Sequence, residues 1–315
     1  QAEDGIRDVE RSRGLGDVYK RQDTQRVIFT YCSTGDSYAY AVVCEASSTA
    51  ITTVGTPAII DNSSATNGYA NRIAACYDPT EDKIIATWVY YGVGGYYLRT
   101  AAGTVNGGSN SITWGSSVAV ISGGANYPYI AYNATDQRVV FNYLDATLTG
   151  YLQSSVASVS GTTITVGATP TVILTGTNYY PSVVHDATAN KMVSYFRGNA
   201  SYAYVASGAI DTATNTITYS TPTQVTSASL STQNLEGAVY DPTIGKCILV
   251  SAGNSVGETA CSIYTTATTL TNQPLTTGTK YFVTPSGGFS STAGSPSVNA
   301  GIAISTTSLL LNGDS

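Results

Sequence analysis

The chain has 315 residues and a formal charge of −6, and only 11% of its residues are charged, so it lacks the clustered basic surface that a nucleic-acid backbone needs as partner. No run of about 18 apolar residues is present to cross a membrane, and no charged segment precedes an apolar core, so neither membrane insertion nor a signal peptide is expected. Abundant Gly, Ser and Thr beside 24 tyrosines and one histidine are typical of short strands joined by polar turns rather than of a disordered chain.

Residues 1–22 differ in composition from the rest of the chain. They hold basic and acidic side chains in equal numbers and show no strand-like alternation. The stretch "RSRGLGDVYKRQ" resembles translated sequencing adaptor, of the kind found at the ends of assembled environmental sequences. We therefore expect residues 1–22 to be non-native or disordered and leave them out of the fold. A charged N-terminal arm is the alternative.

A repeat begins directly after this segment. The stretch "YDPTEDKIIATW" (77–88) returns as "YNATDQRVVFNY" (132–143), "HDATANKMVSYF" (185–196) and "YDPTIGKCILVS" (240–251). A basic residue recurs at intervals of 53 to 57 residues in five copies, the first of them incomplete: Arg26, Lys83, Arg138, Lys191 and Lys246. A fixed period of this length is the signature of a repeat architecture.

Each copy predicts four antiparallel strands. The first strand ends in an aromatic residue and Asp or Asn, and residues such as Asp78 and Asp241 can cap the following turn with their side chains. A strand with period-two alternation follows, then one that carries a tyrosine, then an "ITWG"-like strand and a further β run. Four strands per repeat of about 50 residues are typical of a β-propeller blade. We predict an all-β fold, a β-propeller-like array over residues 23–270.

The number of blades and two other architectures stay open. Five copies are compatible with a five-bladed ring, and six to eight blades are expected if the intact protein is longer. An open β-solenoid or a string of β-sandwiches is the alternative, although no linker separates the copies. Residues 271–315 read as a different unit, with "KYFV", a Gly-rich turn, "AGIAIS" and "SLLL", and predict a small C-terminal β module.

Two motifs carry a resemblance to known proteins. The [YH]-[DN]-x-T-x-x-[KR] turn with the trailing "SGTTITVG" resembles a repeat of large structural proteins of marine bacteriophages, and the C-terminal module is similar to one in phage tail-fibre and virion proteins. The resemblance implies a non-enzymatic virion or tail-fibre protein, assembled in the host cytoplasm and acting outside the cell. It implies host-surface glycans or other virion proteins as partners, and self-association through the last module.

Catalytic groups are few in the sequence. The single histidine, His185, takes a position that is tyrosine in the other complete copies, which favours packing over catalysis. Glycoside hydrolysis needs two positioned carboxylates, and only Glu236 and Glu258 stand out from the acids that recur as turn caps. No catalytic residue, metal site or cofactor is therefore expected. A secreted glycan-processing β-propeller enzyme, inactivated by substitution of Glu236 or Glu258, and a bacterial surface adhesin are the alternatives.

Tyrosines are the best candidates for a binding surface. A tyrosine ring pairs an apolar face with a polar tip, which suits sugar stacking and rigid interfaces, although packing between blades is the alternative. The candidates lie around one Gly-rich turn and at the starts of two later copies: Tyr90, Tyr91, Tyr96, Tyr97, Tyr127, Tyr129, Tyr179 and Tyr180. The five cysteines show no metal-ligand spacing, and Cys76 and Cys247 are expected to be buried and reduced.

Overall fold

The computed structural model describes residues 18–21, 26–33, 36–47, 50–61, 69–92, 95–198, 201–226, 237–252, 259–264, 279–283, 289–292, 298–303 and 309–310. These residues form antiparallel sheets, and the all-β prediction is confirmed. Within this part of the chain, no helix is long and apolar enough to cross a bilayer.

Five sheets follow one another along the chain, and we call them blades 1 to 5. Blade 1 comprises β1 (Val18–Arg21), β2 (Arg26–Cys32), β3 (Ala39–Ala46), β4 (Ile51–Val54) and β5 (Ala58–Asp61). Blade 2 comprises β6 (Tyr69–Asp78), β7 (Lys83–Gly92), β8 (Gly95–Asn106), β9 (Ser111–Trp114) and β10 (Val118–Ile121). Blade 3 comprises β11 (Ala125–Asn133), β12 (Arg138–Asp145), β13 (Tyr151–Ser160), β14 (Thr163–Val166) and β15 (Thr171–Leu174).

The last two blades and a separate small sheet complete the fold. Blade 4 comprises β16 (Tyr179–Asp186), β17 (Lys191–Arg197), β18 (Ala203–Asp211), β19 (Thr216–Tyr219) and β20 (Thr223–Gln224). Blade 5 comprises β21 (Gly237–Asp241), β22 (Lys246–Ala252) and β23 (Thr259–Tyr264). The C-terminal sheet comprises β24 (Lys280–Val283), β25 (Phe289–Ser290), β26 (Val298–Ala303) and β27 (Leu309–Leu310), which confirms the expected small β module.

The blades have β-propeller topology. The first strands of successive blades contact one another, β6 with β11, β11 with β16 and β16 with β21, so they are the innermost strands. In blades 1 to 4 the outermost position is shared by two short strands, both paired with the third strand of the blade. The "ITWG"-like strand and the further β run of the sequence pattern are therefore two halves of one edge.

Blade 1 begins earlier than the sequence pattern indicates. Strand β1 (Val18–Arg21) pairs with β2 (Arg26–Cys32) in the position of an innermost strand, although it belongs to the segment that we left out of the fold. The first copy of the repeat therefore has a strand upstream of residue 23.

The repeated turn motif is explained by its hydrogen bonds. The side chain of Asp78 accepts from the backbone N–H groups of Thr80 and Glu81, and Asn133 and Asp186 cap the equivalent turns in the same way. Asp241 accepts from the backbone N–H of Thr243 at the turn of blade 5. In blades 2 to 5 the residue before the repeated basic residue has a positive φ: Asp82, Gln137, Asn190 and Gly245. The predicted turn caps are confirmed.

Neighbouring blades pack closely at their outer edges. A Cβ atom on Gly167, at the end of β14, would lie 2.0 Å from the backbone oxygen of Asn215 in the next blade, and one on Gly55 would lie 1.9 Å from the oxygen of Asn110. Glycine at the end of the "ITVG" pattern therefore permits the blade-to-blade contact. Cys76 and Cys247 are free and buried, as expected.

Candidate ligand-binding site

A β-bulge interrupts the start of the innermost strand in blades 2, 3 and 4. The pairing register shifts at Arg72, at Tyr127 and at Tyr180, and these residues have φ angles of 47°, 48° and 48°. The three residues are equivalent positions of the repeat. Because a left-handed backbone at a residue with a long side chain costs about 1–2 kcal/mol, a bulge kept at three copies indicates a special role for this end of the strands.

The bulge residues of the three blades contact one another. The guanidinium carbon of Arg72 lies 3.8 Å from the ring centroid of Tyr127, and the rings of Tyr127 and Tyr180 meet edge to face with centroids 5.0 Å apart. All three residues lie on first strands, which contact one another from blade to blade, so these side chains lie towards the centre of the array.

Blade 4 extends this row of side chains. The ring of Tyr179 lies 6.1 Å from that of Tyr180, and the guanidinium carbon of Arg197, at the end of β17, lies 4.8 Å from the Tyr179 centroid. We call this continuous row, with an arginine at each end, the aromatic arc; it consists of Arg72, Tyr127, Tyr180, Tyr179 and Arg197. All three tyrosines are only partly buried, which leaves ring surface open to a ligand.

The arginines of the arc have few partners. Arg72 donates through Nη1 to Oδ1 of Asn126, and Arg197 donates through Nη2 to Oγ of Ser201 at 2.7 Å. Arg197 is only 5% exposed, and its Nε has no hydrogen-bond partner among the residues that the structure describes. A buried guanidinium with an unsatisfied donor favours an added acceptor.

The other predicted tyrosines fall into two groups. Tyr90, Tyr91, Tyr96 and Tyr97 form two cross-strand pairs beside the β7–β8 turn, with the Tyr91 and Tyr96 rings 4.2 Å apart. Tyr96 is 44% exposed, so this hairpin presents aromatic surface. Tyr129, by contrast, packs against the apolar cluster between blades 3 and 4, which is the packing alternative.

The described carboxylates have structural partners. At the end of the blades that carries the arc, Asp145 caps the turn after β12, Asp36 accepts from Tyr38 and Tyr40, and Asp61 pairs with Arg99 at 3.0 Å. At the opposite end the carboxylates cap turns or link neighbouring blades, as when Gly161 N–H donates to Glu81. Glu236 and Glu258 lie outside the described residues.

His185 belongs to a structural network at the opposite end of the blades. Its Nε2 lies 3.3 Å from Oδ1 of Asn190, which also accepts from Asn133, and Asn190 donates to Asp136. Burial lowers the pKa of His185, against the opposing effects of Asn190, Asp136 and Asp186. Among the residues that the structure describes, no group of three or more His, Cys, Asp or Glu side chains could hold a metal ion.

Sequence reasoning named the tyrosines of the arc but missed its arginines. Arg72 and Arg197 do not recur as arginine in the other copies, so the repeat pattern did not mark them as candidate site residues. The available signal was positional: Arg72 aligns with Tyr127 and Tyr180 when the turn motifs are superimposed, and these last two were already candidates.

No family model matches the chain, and no curated protein matches it in sequence. Solved structures are nevertheless similar in fold. A proposed 6-phosphogluconolactonase from Bacteroides fragilis is 11% identical over 82% of this chain and 69% of that chain, with a TM-score of 0.52. An exo-β-1,3-galactanase from Phanerochaete chrysosporium, solved with β-1,3-galactotriose, is 9% identical over 88% of this chain, with a TM-score of 0.51. This chain spans 66% of the galactanase's length.

The similarity corrects the functional interpretation of the sequence. The prediction of a non-enzymatic virion or tail-fibre protein is wrong, because solved structures that share the fold are enzymes, among them a glycan-processing galactanase, and no comparison supports a phage or marine origin. The motif behind that prediction caps turns in blades 2 to 5, so it indicates the architecture and not the origin. At these identities the similarity shows the β-propeller-like fold.

Proposed function

We propose that this chain is a glycan-processing β-propeller that holds its saccharide at the aromatic arc. The observation that carries the proposal is the contact of Arg72, Tyr127 and Tyr180 across three blades at strained backbone positions. Ligand sites form where elements converge, and strained residues concentrate at such sites. The fold similarity to a galactanase solved with β-1,3-galactotriose supports a glycan as the ligand.

The chemistry of the arc suits a sugar ring. Tyrosine offers a flat apolar face for the C–H side of a pyranose and a hydroxyl for its polar edge. Tyr127 is held from one side by Arg72 and packs against the apolar cluster that includes Leu144 and Phe196, so its ring is fixed before a ligand arrives. Pre-organised contact surface of this kind strengthens binding because little side-chain entropy is lost.

Hydrolysis requires two carboxylic acids in addition to this binding surface. The described carboxylates are committed to turns, ion pairs and links between blades. Glu236 and Glu258 stand outside the repeat pattern and directly precede β21 and β23 in the sequence. We propose these two as the acid pair.

The test measures sugar release from β-1,3-galactan and arabinan by chromatography of the products. The wild-type chain is expected to release saccharide, and Glu236→Gln or Glu258→Gln should lower the rate by at least about 100-fold, as loss of a general acid or base does. Glu45→Gln, which removes a carboxylate paired with Arg26 in blade 1, is the matched control and should retain activity. No turnover of either polysaccharide by the wild-type chain would refute an activity on these glycans, and full activity in both variants would refute the acid pair.

A further inference from the structure

The arc carries positive charge that the described residues do not neutralise. Arg72 and Arg197 both hydrogen-bond to neutral side chains, and each stacks on a tyrosine ring rather than on a carboxylate. The described acids at the same end of the blades, Asp36, Asp61 and Asp145, are engaged by other groups. One arginine charge thus stands at each end of the arc, in a chain whose formal charge is −6.

The geometry of Arg197 points to an anionic acceptor. Its guanidinium is almost fully buried, and one hydrogen bond and one ring contact leave Nε unsatisfied. A desolvated guanidinium is costly unless it is paired, and its planar fork matches a carboxylate or sulfate in two parallel hydrogen bonds. The ring of Tyr179 holds the guanidinium plane in a fixed place.

We propose that the aromatic arc selects an acidic saccharide, whose carboxylate or sulfate groups pair with Arg197 and with Arg72 while its rings stack on the tyrosines between them. This inference rests on the proposed function, since it names the class of glycan that the same site takes. Arginine at both ends of the row allows acidic groups on two sugar units of one chain to be bound at once. A neutral saccharide would find the stacking surface but would leave both guanidinium groups without a new acceptor.

The experiment compares three probes by isothermal titration calorimetry: β-1,3-galactotriose, trigalacturonate and a sulfated galactan oligosaccharide. The wild-type chain should bind an acidic probe at least about tenfold more tightly than galactotriose, because a hydrogen bond between charged groups is worth that factor or more. Which acidic probe binds more tightly separates carboxylate from sulfate recognition. The preference should shrink as salt is raised, since Arg72 is partly open to solvent.

Variants locate the effect on the arc. Arg72→Gln and Arg197→Gln should each remove most of the preference, whereas Lys191→Gln removes one positive charge from the opposite end of β17 and should leave it intact. Thermal unfolding of each variant shows whether it is folded. If Arg197→Gln does not fold, the comparison of wild-type affinities for neutral and acidic probes still tests the inference. Equal affinity for neutral and acidic probes, or a preference that survives both arginine variants, overturns the inference while leaving glycan processing in place. Failure of all three probes to bind, together with absence of turnover, overturns both.

Discussion

His185 shows how one residue can make one junction between blades different from the junctions on either side of it. Tyr132 donates its hydroxyl to Thr80 of the preceding blade at 2.7 Å, and the hydroxyl of Tyr240 lies 2.8 Å from that of Thr188. His185 takes the equivalent position at the junction of blades 3 and 4, but its ring bonds Asn190 within its own blade. The amides of Asn133 and Asn190 make the link between these two blades instead.

The histidine makes this junction sensitive to acid. Burial lowers the pKa of His185 below its ordinary value of about 6.5, so the fold favours the neutral ring. The stability that this neutral ring contributes is fully present above pH 6.5 and is lost as the pH falls through the lowered pKa. Acid should therefore weaken the junction between blades 3 and 4 before the junctions that tyrosine makes.

Replacement of His185 by tyrosine should remove that weakness. His185→Tyr is expected to raise the free energy of unfolding by about 0.5–1.5 kcal/mol, the worth of one hydrogen bond, through a contact with Thr135 like that of Tyr132 with Thr80. The gain over wild type should grow below about pH 6.5. Urea unfolding between pH 5 and pH 8 measures both. The reciprocal variant Tyr132→His should gain acid sensitivity, and identical pH profiles for all three proteins would show that His185 does not titrate in this range.

At the scale of strands, the sequence predicted the features that leave a signature in residue type and missed those that do not. The turn caps at Asp78, Asn133 and Asp186 recur with the period, so their role was readable from the pattern alone. The bulges at Arg72 and Tyr127 were not readable, because a left-handed backbone at Arg or Tyr leaves no signature in residue type. Contacts between repeat-equivalent residues of different blades also have no local signal, since the partners lie more than 50 residues apart in the sequence.

The outer edge of the blades shows the same limit of prediction from sequence. The "ITVG" strand and the run after it were both predicted as strands, but their shared pairing with one neighbour follows from the break after Gly167. Gly167 donates its N–H to Val156, within its own blade, while its Cα faces Asn215 of the next blade. Packing between blades therefore requires glycine at this position. The repeat pattern shows the recurring glycine but not the contact that requires it.

This close approach predicts a strong effect of a single methyl group. Gly167→Ala would place Cβ 2.0 Å from the backbone oxygen of Asn215, so the edge of blade 3 must move away from blade 4. We expect a loss of about 1–3 kcal/mol in the free energy of unfolding, the usual cost of overpacking. Gly237→Ala is the matched control, since a Cβ there meets no atom within 4 Å and alanine suits a strand better than glycine. Chemical denaturation measures the free energy of unfolding of both variants. Equal values for Gly167→Ala and Gly237→Ala would mean that the blade edge adapts without cost.

At the scale of the whole molecule, the apolar core that the described residues form is shared unequally among the blades. One cluster runs through blades 1, 2 and 3 and includes Ile28, Trp88 and Phe141. Blade 5 joins blade 4 through a smaller cluster that includes Tyr195 and Leu249. In repeat proteins each unit is stabilised chiefly by its neighbours, so a unit with fewer buried contacts opens more easily. The aromatic arc is carried by blades 2 to 4, and the fold thus places its site on the better-packed part of the array.

Amide hydrogen exchange should reveal this gradient from one end of the array to the other. Amides of β7 and β12 are expected to exchange more slowly than those of β22, because opening blade 5 exposes the smaller cluster alone. Leu249→Ala, with an expected cost of about 2–5 kcal/mol, should accelerate exchange in β21–β23 and leave β7 unchanged. Trp88→Ala, at the fully buried centre of the large cluster, should accelerate exchange through blades 1 to 3. If Leu249→Ala instead accelerates exchange equally in β7 and β22, the array unfolds as one cooperative unit, and the stability of blade 5 then governs the stability of the arc.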